Sequence, residues 1–119
     1  MSPPERSRLG DGILALGPHV RYVAFGSGQE VDMRPRADLR DASSSESDFF
    51  EELLVNPTLL TLARQRGELD CGGLRYLIVA YGNFNVVAMP LNGGHVGVGV
   101  ALDADPVATA AQVAALVAV

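Results

Sequence analysis

Two histidines are the first residues to consider for chemistry, because imidazole nitrogen atoms are common ligands of zinc and other metals. His19 and His95 each stand at the start of an apolar run that is typical of a β-strand. If those two strands are antiparallel neighbours, the histidines fall at opposite ends of the sheet. That geometry excludes a two-histidine metal site, and we interpret both residues as ordinary surface histidines.

A glycine-rich turn and a cysteine are the next candidates. The segment Gly26-Ser27-Gly28 lacks the lysine of a phosphate-binding loop and the G-x-S-x-G spacing of a nucleophile elbow, so it reads as a hairpin turn. Cys71 is the only cysteine of the chain and cannot form an internal disulfide. It has no basic neighbour in sequence that would activate it, so we expect an inert thiol.

Four acidic residues crowd one short stretch and are candidates for a general acid–base pair. They are Glu46, Asp48, Glu51 and Glu52. They stand at the start of a predicted helix, where the helix dipole favours negative charge. The dipole explains them without a catalytic pair.

Three arginines form a cluster that could grip a phosphate or an acidic partner. Acidic residues alternate with them, so the local charge is near zero and the segment reads as a solvated loop. The arginines are Arg34, Arg36 and Arg40, and the acids are Asp32, Asp38 and Asp41.

These candidates include no recognisable set of nucleophile, base and metal ligands. We therefore expect a protein that is not an enzyme and that has no catalytic residues, metal or cofactor. The function must be argued from the scaffold that these residues belong to.

The chain has 119 residues and a formal net charge of −5, and all nine basic residues are arginines. This length fits a single domain, 1–119, with a core of its own. The acidic balance argues against nucleic-acid binding, which needs clustered positive charge. No apolar run approaches the ~18 residues of a membrane-spanning helix, and no secretory signal is visible. We expect no membrane insertion and a cytoplasmic location.

Three apolar runs joined by two tight turns organise the second half of the chain. They predict strands at 74–81, 84–91 and 95–102. Gly82-Asn83 and Asn92-Gly93 lie between them, and such pairs supply the positive φ that hairpin turns need. The sequence therefore predicts a three-stranded antiparallel meander.

The first half of the chain predicts a helix followed by a hairpin. The helix begins at a Ser2 cap, and two strands follow at 20–25 and 30–33. Pro35 stops the second strand and marks it as an edge. Residues 34–45 mix charge, proline and serine without periodicity, so they predict a surface loop.

Helices fill the two remaining segments. The apolar stripe after the loop predicts two helical pieces, at 46–55 and 57–66, because Pro57 disfavours helical geometry in the residue before it. Gly67 is expected to end the second piece. A last, alanine-rich helix begins at an Asp105 cap and is apolar nearly all round, which indicates burial on more than one side or a partner.

The last strand of the meander has two unlike faces. Its valines share one face, while Gly97 and Gly99 lie on the other. A helix can approach the flat glycine face closely, and the alanine-rich last helix has matching small side chains. The strand at 74–81 is apolar on both sides, so we expect helices on both faces of the sheet.

This order of elements resembles the roadblock/LC7 family, a branch of the profilin-like folds. The resemblance covers nearly the whole chain and rests on the hairpin VRYVAFGSGQEVDM and the tail HVGVGVALDADPVATAAQVAALV. It implies an α/β (α+β) fold with a five-stranded antiparallel sheet in the order 2-1-5-4-3. It also suggests a divergent bacterial or archaeal member.

The resemblance further implies a homodimer that acts as a scaffold or regulator, since roadblock-like domains pair through the middle helix and third strand and often dock small Ras-like GTPases. The residues point the same way, because strand 74–81 would lie at a sheet edge with only Arg75 as a charge, and such an edge needs covering. The residues we predict at this interface are Phe50, Leu53, Leu54, Leu60, Leu74, Tyr76 and Ile78.

A small-molecule sensor is the alternative function, because profilin-like and PAS-like sheets can hold ligands between sheet and helix. The flat face at Gly97 and Gly99 offers room for such a ligand. Few polar groups would converge there, however, whereas binding sites usually have several. We therefore prefer the hypothesis of a scaffold.

Overall fold

The computed structural model describes residues 1–37 and 45–118. The described residues form three helical regions and five strands. In order they are α1 (Pro3–Leu14), β1 (Val20–Ser27), β2 (Glu30–Pro35), α2 (Ser45–Phe50), a π-helical turn (Glu51–Val55), α3 (Asn56–Asp70), β3 (Leu77–Ala80), β4 (Phe84–Leu91), β5 (Gly94–Ala101) and α4 (Pro106–Val117).

The five strands form one antiparallel sheet in the order β2-β1-β5-β4-β3, which confirms the predicted topology. Two of the three hairpins of the sheet, β1–β2 and β4–β5, turn at Gly28 and Gly93, whose φ angles of 60° and 84° suit glycine. The two edges of the sheet are the predicted ones, β2 on one side and β3 on the other.

β3 is shorter than predicted, since only Leu77–Ala80 pairs with β4. The preceding residues are held near the middle helix, where the N–H of Gly73 donates to the carbonyl oxygen of Gly67 at 3.0 Å. Residues 74–76 therefore lead from the helix to the edge of the sheet without joining it. This bond is a local contact, between residues six positions apart, of the kind that closes the end of a helix.

Helices lie on both faces of the sheet, as predicted, but α4 covers the opposite face from the one expected. The valines of β5 pack with α1 and α4 in one apolar cluster, which includes Leu9, Ile13, Val98, Ala110 and Val113. The small side chains of α4 fit against a bulky face. The flat glycine face instead accommodates large polar side chains under the middle helix.

The middle helix, which comprises α2, the π-helical turn and α3, is continuous from Ser45 to Asp70. The predicted break at Pro57 is wrong. The backbone at Val55 and Asn56 is helical, and the Asn56 N–H donates to the carbonyl of Glu51, five residues back. A π-helical turn changes the hydrogen-bond pattern in the turn before the proline, which lacks an N–H itself, and the helix continues.

The helix ends confirm two predicted caps and correct one. Ser2 caps α1 through its side chain, and the Asp105 carboxylate accepts hydrogen bonds from the first N–H groups of α4. Gly67 does not end the middle helix, which runs on to Asp70. Within the predicted loop 34–45, Arg34 and Pro35 belong to β2, and residues 38–44 lie outside the described residues.

Candidate functional site

Four polar side chains lie together between the sheet and the middle helix, and we call them the polar cluster. Glu52 has no exposed surface, and its three partners are each less than 5% exposed. The members are Tyr22 of β1, Glu52 of the π-helical turn, Asn56 of α3 and His95 of β5. Elements distant in sequence therefore meet at one carboxylate.

Three hydrogen bonds converge on the Glu52 carboxylate. The Tyr22 hydroxyl and the Asn56 amide nitrogen each donate to Oε2 at 2.8 Å. The His95 Nε2 lies 2.9 Å from Oε1 and donates to it. A buried carboxylate is very costly without partners, and these bonds replace the water that it has lost.

The glycines of the sheet create the space for this cluster. A Cβ atom at Gly97 would overlap the carboxylate of Glu52, and one at Gly99 would overlap the ring of Tyr22. A Cβ at Gly26 would collide with the ring of His95. The flat glycine face is therefore filled by this protein's own side chains, which leaves no room there for the ligand of the predicted sensor.

Burial first, and then the negative charge of Glu52, raises the pKa of the Tyr22 phenol far above its usual value. Tyr22 therefore remains a hydrogen-bond donor across the accessible pH range. The cluster is almost completely shielded from solvent, since its most exposed member, His95, is 4% exposed. The arrangement fixes the middle helix on the sheet.

The structure corrects two sequence interpretations here. His95 is buried and bonded, so it is not a surface histidine. It does lie at the opposite end of β1 from His19, because it pairs with Gly26. Glu51 and Glu52 are buried as well, so the helix dipole alone does not explain them. The spacing of Glu52 and Asn56, four residues apart in a helix, was the signal available.

Glu51 forms a second polar contact, at the end of the sheet next to β3. The Tyr81 hydroxyl donates to its Oε1 at 2.6 Å. Burial and the Glu51 bond raise the pKa of Tyr81 to about 12. Burial is also the largest cause of a raised pKa of Glu51; Tyr81 opposes it, and Glu52 and Asp48 add to it.

The remaining candidates have structural surroundings. The Ser27 hydroxyl donates to the carbonyl of Gly93 at 3.0 Å and joins the two hairpin ends, so the glycine-rich segment is a hairpin as predicted. Cys71 is exposed after the end of α3. In the part of the chain that the structure describes, no three histidine, cysteine or acidic side chains are grouped to hold a metal ion.

The arginine cluster is only partly a solvated loop. Arg36 donates to the carbonyl oxygens of Val20, Leu14 and Gly17 at 2.6–2.7 Å and so fixes the connection between α1 and β1. Arg34 pairs with Asp32 at 3.3 Å. Arg40, Asp38 and Asp41 lie outside the described residues.

The residues predicted at a dimer interface occupy three kinds of position. Phe50 and Leu54 are exposed, and Leu60 is buried within the protomer at 4% exposure. The other four are half-buried: Leu53, Leu74, Tyr76 and Ile78. Tyr76 and Ile78 pack against the cluster under α1 and α4, on the face opposite the middle helix.

The middle helix carries an exposed apolar stripe, which we define as Phe50, Leu54, Leu62 and Leu69. Their exposed fractions are 56%, 49%, 61% and 79%. At 3.6 residues per turn the three leucines lie within about 80° of one another around the helix. The middle helix contacts residues that precede and follow β3, through the Gly67–Gly73 and Glu51–Tyr81 bonds.

Comparison with solved structures identifies the fold. The chain is similar to the crystal structure of a Roadblock/LC7 domain from Streptomyces avermitilis, with a TM-score of 0.70 and 19% sequence identity over 93% of this chain and 90% of that chain. The fold is therefore that of a roadblock/LC7-like domain, as the sequence resemblance implied. No family model matches the sequence, and no curated protein matches it.

One further observation concerns the membrane. Within residues 1–37 and 45–118, none of the helices has the length and apolar character needed to cross a bilayer.

Proposed function

We propose that this chain is a single roadblock-like domain that forms a homodimer in the cytoplasm and acts as a non-enzymatic scaffold or regulator. One observation carries the proposal: the middle helix exposes an apolar stripe in a domain whose sheet ends at the edge strand β3. We infer that stripe and edge together form the surface of association.

The stripe favours association because large apolar side chains gain free energy when they leave water, about 25 cal/mol for each Å². Scattered apolar residues are ordinary on a protein surface, but a continuous row marks an interaction site. Burying Leu62 and Leu69 on a second copy would remove the two most exposed leucines of the middle helix from water.

The edge strand favours a second copy in particular. Leu77–Ala80 has β4 on one side, contains no proline or charge, and leaves its other side without a strand partner among the described residues. Unprotected edges of this kind pair readily with another strand. A two-fold axis beside β3 joins two identical edges and covers both stripes at once.

The experiment uses Leu62→Glu, because Leu60 is buried in the protomer and its substitution would report on folding instead. A glutamate in the stripe places an unpaired charge in the interface, so the dimer dissociation constant should rise by roughly 100-fold or more. Light scattering at micromolar concentration measures this. The wild-type mass should be twice the 12.5 kDa of one chain, and the variant mass should equal one chain.

Leu102→Glu is the matched control. Leu102 is 57% exposed, close to the 61% of Leu62, but it lies in the turn before α4. This variant should remain dimeric. A monomeric wild type, or dissociation of both variants to the same extent, would contradict the proposal.

As a scaffold, the dimer is proposed to dock a small Ras-like GTPase, in keeping with the roadblock resemblance. Purified small GTPases from the same genome, loaded with GDP or a GTP analogue, test this by surface binding to the immobilised chain. Binding of one of them in one nucleotide state is the expected result. If none binds, the proposal of a GTPase partner is rejected, and the proposal of a dimer is unaffected.

A further inference from the structure

A cavity of about 430 Å³ opens where the π-helical turn meets the end of the β3–β4 hairpin. Its lining includes Phe50, Glu51, Val55, Tyr81 and Phe84. This volume lies within the range of roughly 300–1,000 Å³ that is usual for small-ligand sites. The cavity therefore has the size and the aromatic lining of a binding pocket, with two acidic residues, Asp48 and Glu51, in its wall.

The carboxylate of Glu51 is incompletely bonded. Glu51 is 7% exposed, and its Oε1 accepts the bond from Tyr81. Its Oε2 is buried and has no hydrogen-bond partner among the described residues. A buried carboxylate oxygen without a donor is costly, so the wall of the pocket contains an acceptor that still lacks a donor.

The surroundings select a cation. Asp48 lines the same cavity as Glu51, so two carboxyl groups border it. After burial, which is the largest cause, the charges of Glu52 and Asp48 also raise the pKa of Glu51. The aromatic rings also favour a cation, since Tyr81 stacks on Phe84 with centroids 5.5 Å apart. The Arg21 guanidinium already lies 5.4 Å from the Phe84 ring centroid but forms no hydrogen bond with Glu51. Guanidinium groups suit both contacts, because they donate to carboxylates and stack on aromatic faces.

We propose that this pocket binds an organic cation, a guanidinium or ammonium group on an apolar stem, through Glu51 Oε2 and the aromatic rings. The cation comes either from a free small molecule or from an arginine or lysine side chain of a protein. The pocket is lined by residues of one protomer, and Phe50 is the member that it shares with the apolar stripe.

The test titrates the full chain with ethylguanidinium at pH 8 and constant ionic strength, and follows the backbone amide signals of residues 81–84 by NMR. N-Ethylurea is the matched neutral probe, because it has nearly the same shape without the charge. Ethylguanidinium should shift these signals saturably and bind roughly tenfold or more tightly than the urea. Equal shifts from both probes, or no saturable shift, would overturn the proposal.

Glu51→Gln tests the carboxylate itself. The amide oxygen of glutamine still accepts from Tyr81, so the fold is retained while the charge is lost. Ethylguanidinium affinity should fall roughly tenfold or more. Glu46→Gln removes the same charge from an exposed position of the same helix and should change the affinity less than about threefold. Equal losses in both variants would show a general charge effect and overturn the site.

A blocked tripeptide, acetyl-Gly-Arg-Gly-amide, separates the two sources of the cation. Tighter binding than ethylguanidinium assigns the pocket to a protein side chain. Weaker binding assigns it to a free organic cation. Glu51 dependence is expected in either case, and binding that does not depend on Glu51 would contradict both assignments.

Discussion

The two faces of the sheet differ in what holds a helix to them. On one face, α1 and α4 pack on valines in a cluster of apolar side chains. On the other, the middle helix sends Glu52 into a glycine-lined space, where it accepts bonds from Tyr22, Asn56 and His95. Apolar packing tolerates small shifts between its partners, whereas three directed hydrogen bonds to one carboxylate define one position. The difference suggests that the middle helix is held in one register, which a surface stripe of fixed geometry requires.

The largest expected effect comes from Glu52→Ala. It leaves the donors of Tyr22, Asn56 and His95 buried without an acceptor, so we expect a loss of about 3–5 kcal/mol in the free energy of unfolding. Urea denaturation followed by circular dichroism measures it. Glu46→Ala, an exposed acid on the same helix, should change it by less than about 0.5 kcal/mol. A loss below about 1 kcal/mol for Glu52→Ala would remove the contrast between the faces.

Gly97→Ala should give the next largest loss of stability, and it tests whether the Glu52 carboxylate needs the space above Gly97. The new Cβ overlaps the Glu52 carboxylate, and displacing it should cost about 2–3 kcal/mol. In a Glu52→Ala background the overlap is gone, so the second substitution should then cost far less. Denaturation of the single and double variants measures this coupling.

Val98→Ala, on the apolar face, is the reference for this comparison of single and double variants. Val98 belongs to the cluster with α1 and α4, and its truncation should cost about 2 kcal/mol through lost burial and a small cavity. Since it shares no partner with Glu52, its effect should add to that of Glu52→Ala. Strong coupling between Val98 and Glu52, or none between Gly97 and Glu52, would contradict the assignment of the two faces.

The smallest effect is a pH dependence at Glu51. Burial is the main cause that raises the pKa of this carboxyl above 4.5 in the folded protein. The folded state therefore holds the proton more tightly than the unfolded state, and stability falls as the pH rises from 4.5 through the folded pKa. The glutamine of the Glu51→Gln variant does not ionise, so the variant should not lose this stability as the pH rises. Its melting temperature should exceed that of the wild type at neutral pH by a margin that shrinks in acid, and a constant margin would contradict the pKa direction.

The sequence predicted much of the scaffold, because its signals there are local. Turn pairs such as Asn92-Gly93 and caps such as Ser2 and Asp105 act over a few residues, and each lies where it was expected. The sheet order also followed from the resemblance. The predicted break at Pro57 failed because a π-helical turn, held by contacts of Glu52 with the sheet, continues the helix.

The buried site was harder to predict, because its members meet only in three dimensions. Tyr22, Glu52 and His95 are separated by 30 and 43 residues. A carboxylate and an imidazole are ordinarily surface groups, so each was assigned to the surface when taken alone. Only the clearance over Gly97 and Gly99, which is a product of packing, allows them inside.

By itself the sequence determined where most of the helices and strands lie, because hydrophobic period, turn residues and caps act over short distances, and the resemblance supplied the order of the strands. Tertiary structure alone decided which helix covers which face, and whether an acid is buried or solvated. Those outcomes depend on the volume left between packed elements and on hydrogen-bond partners that are far apart in the chain.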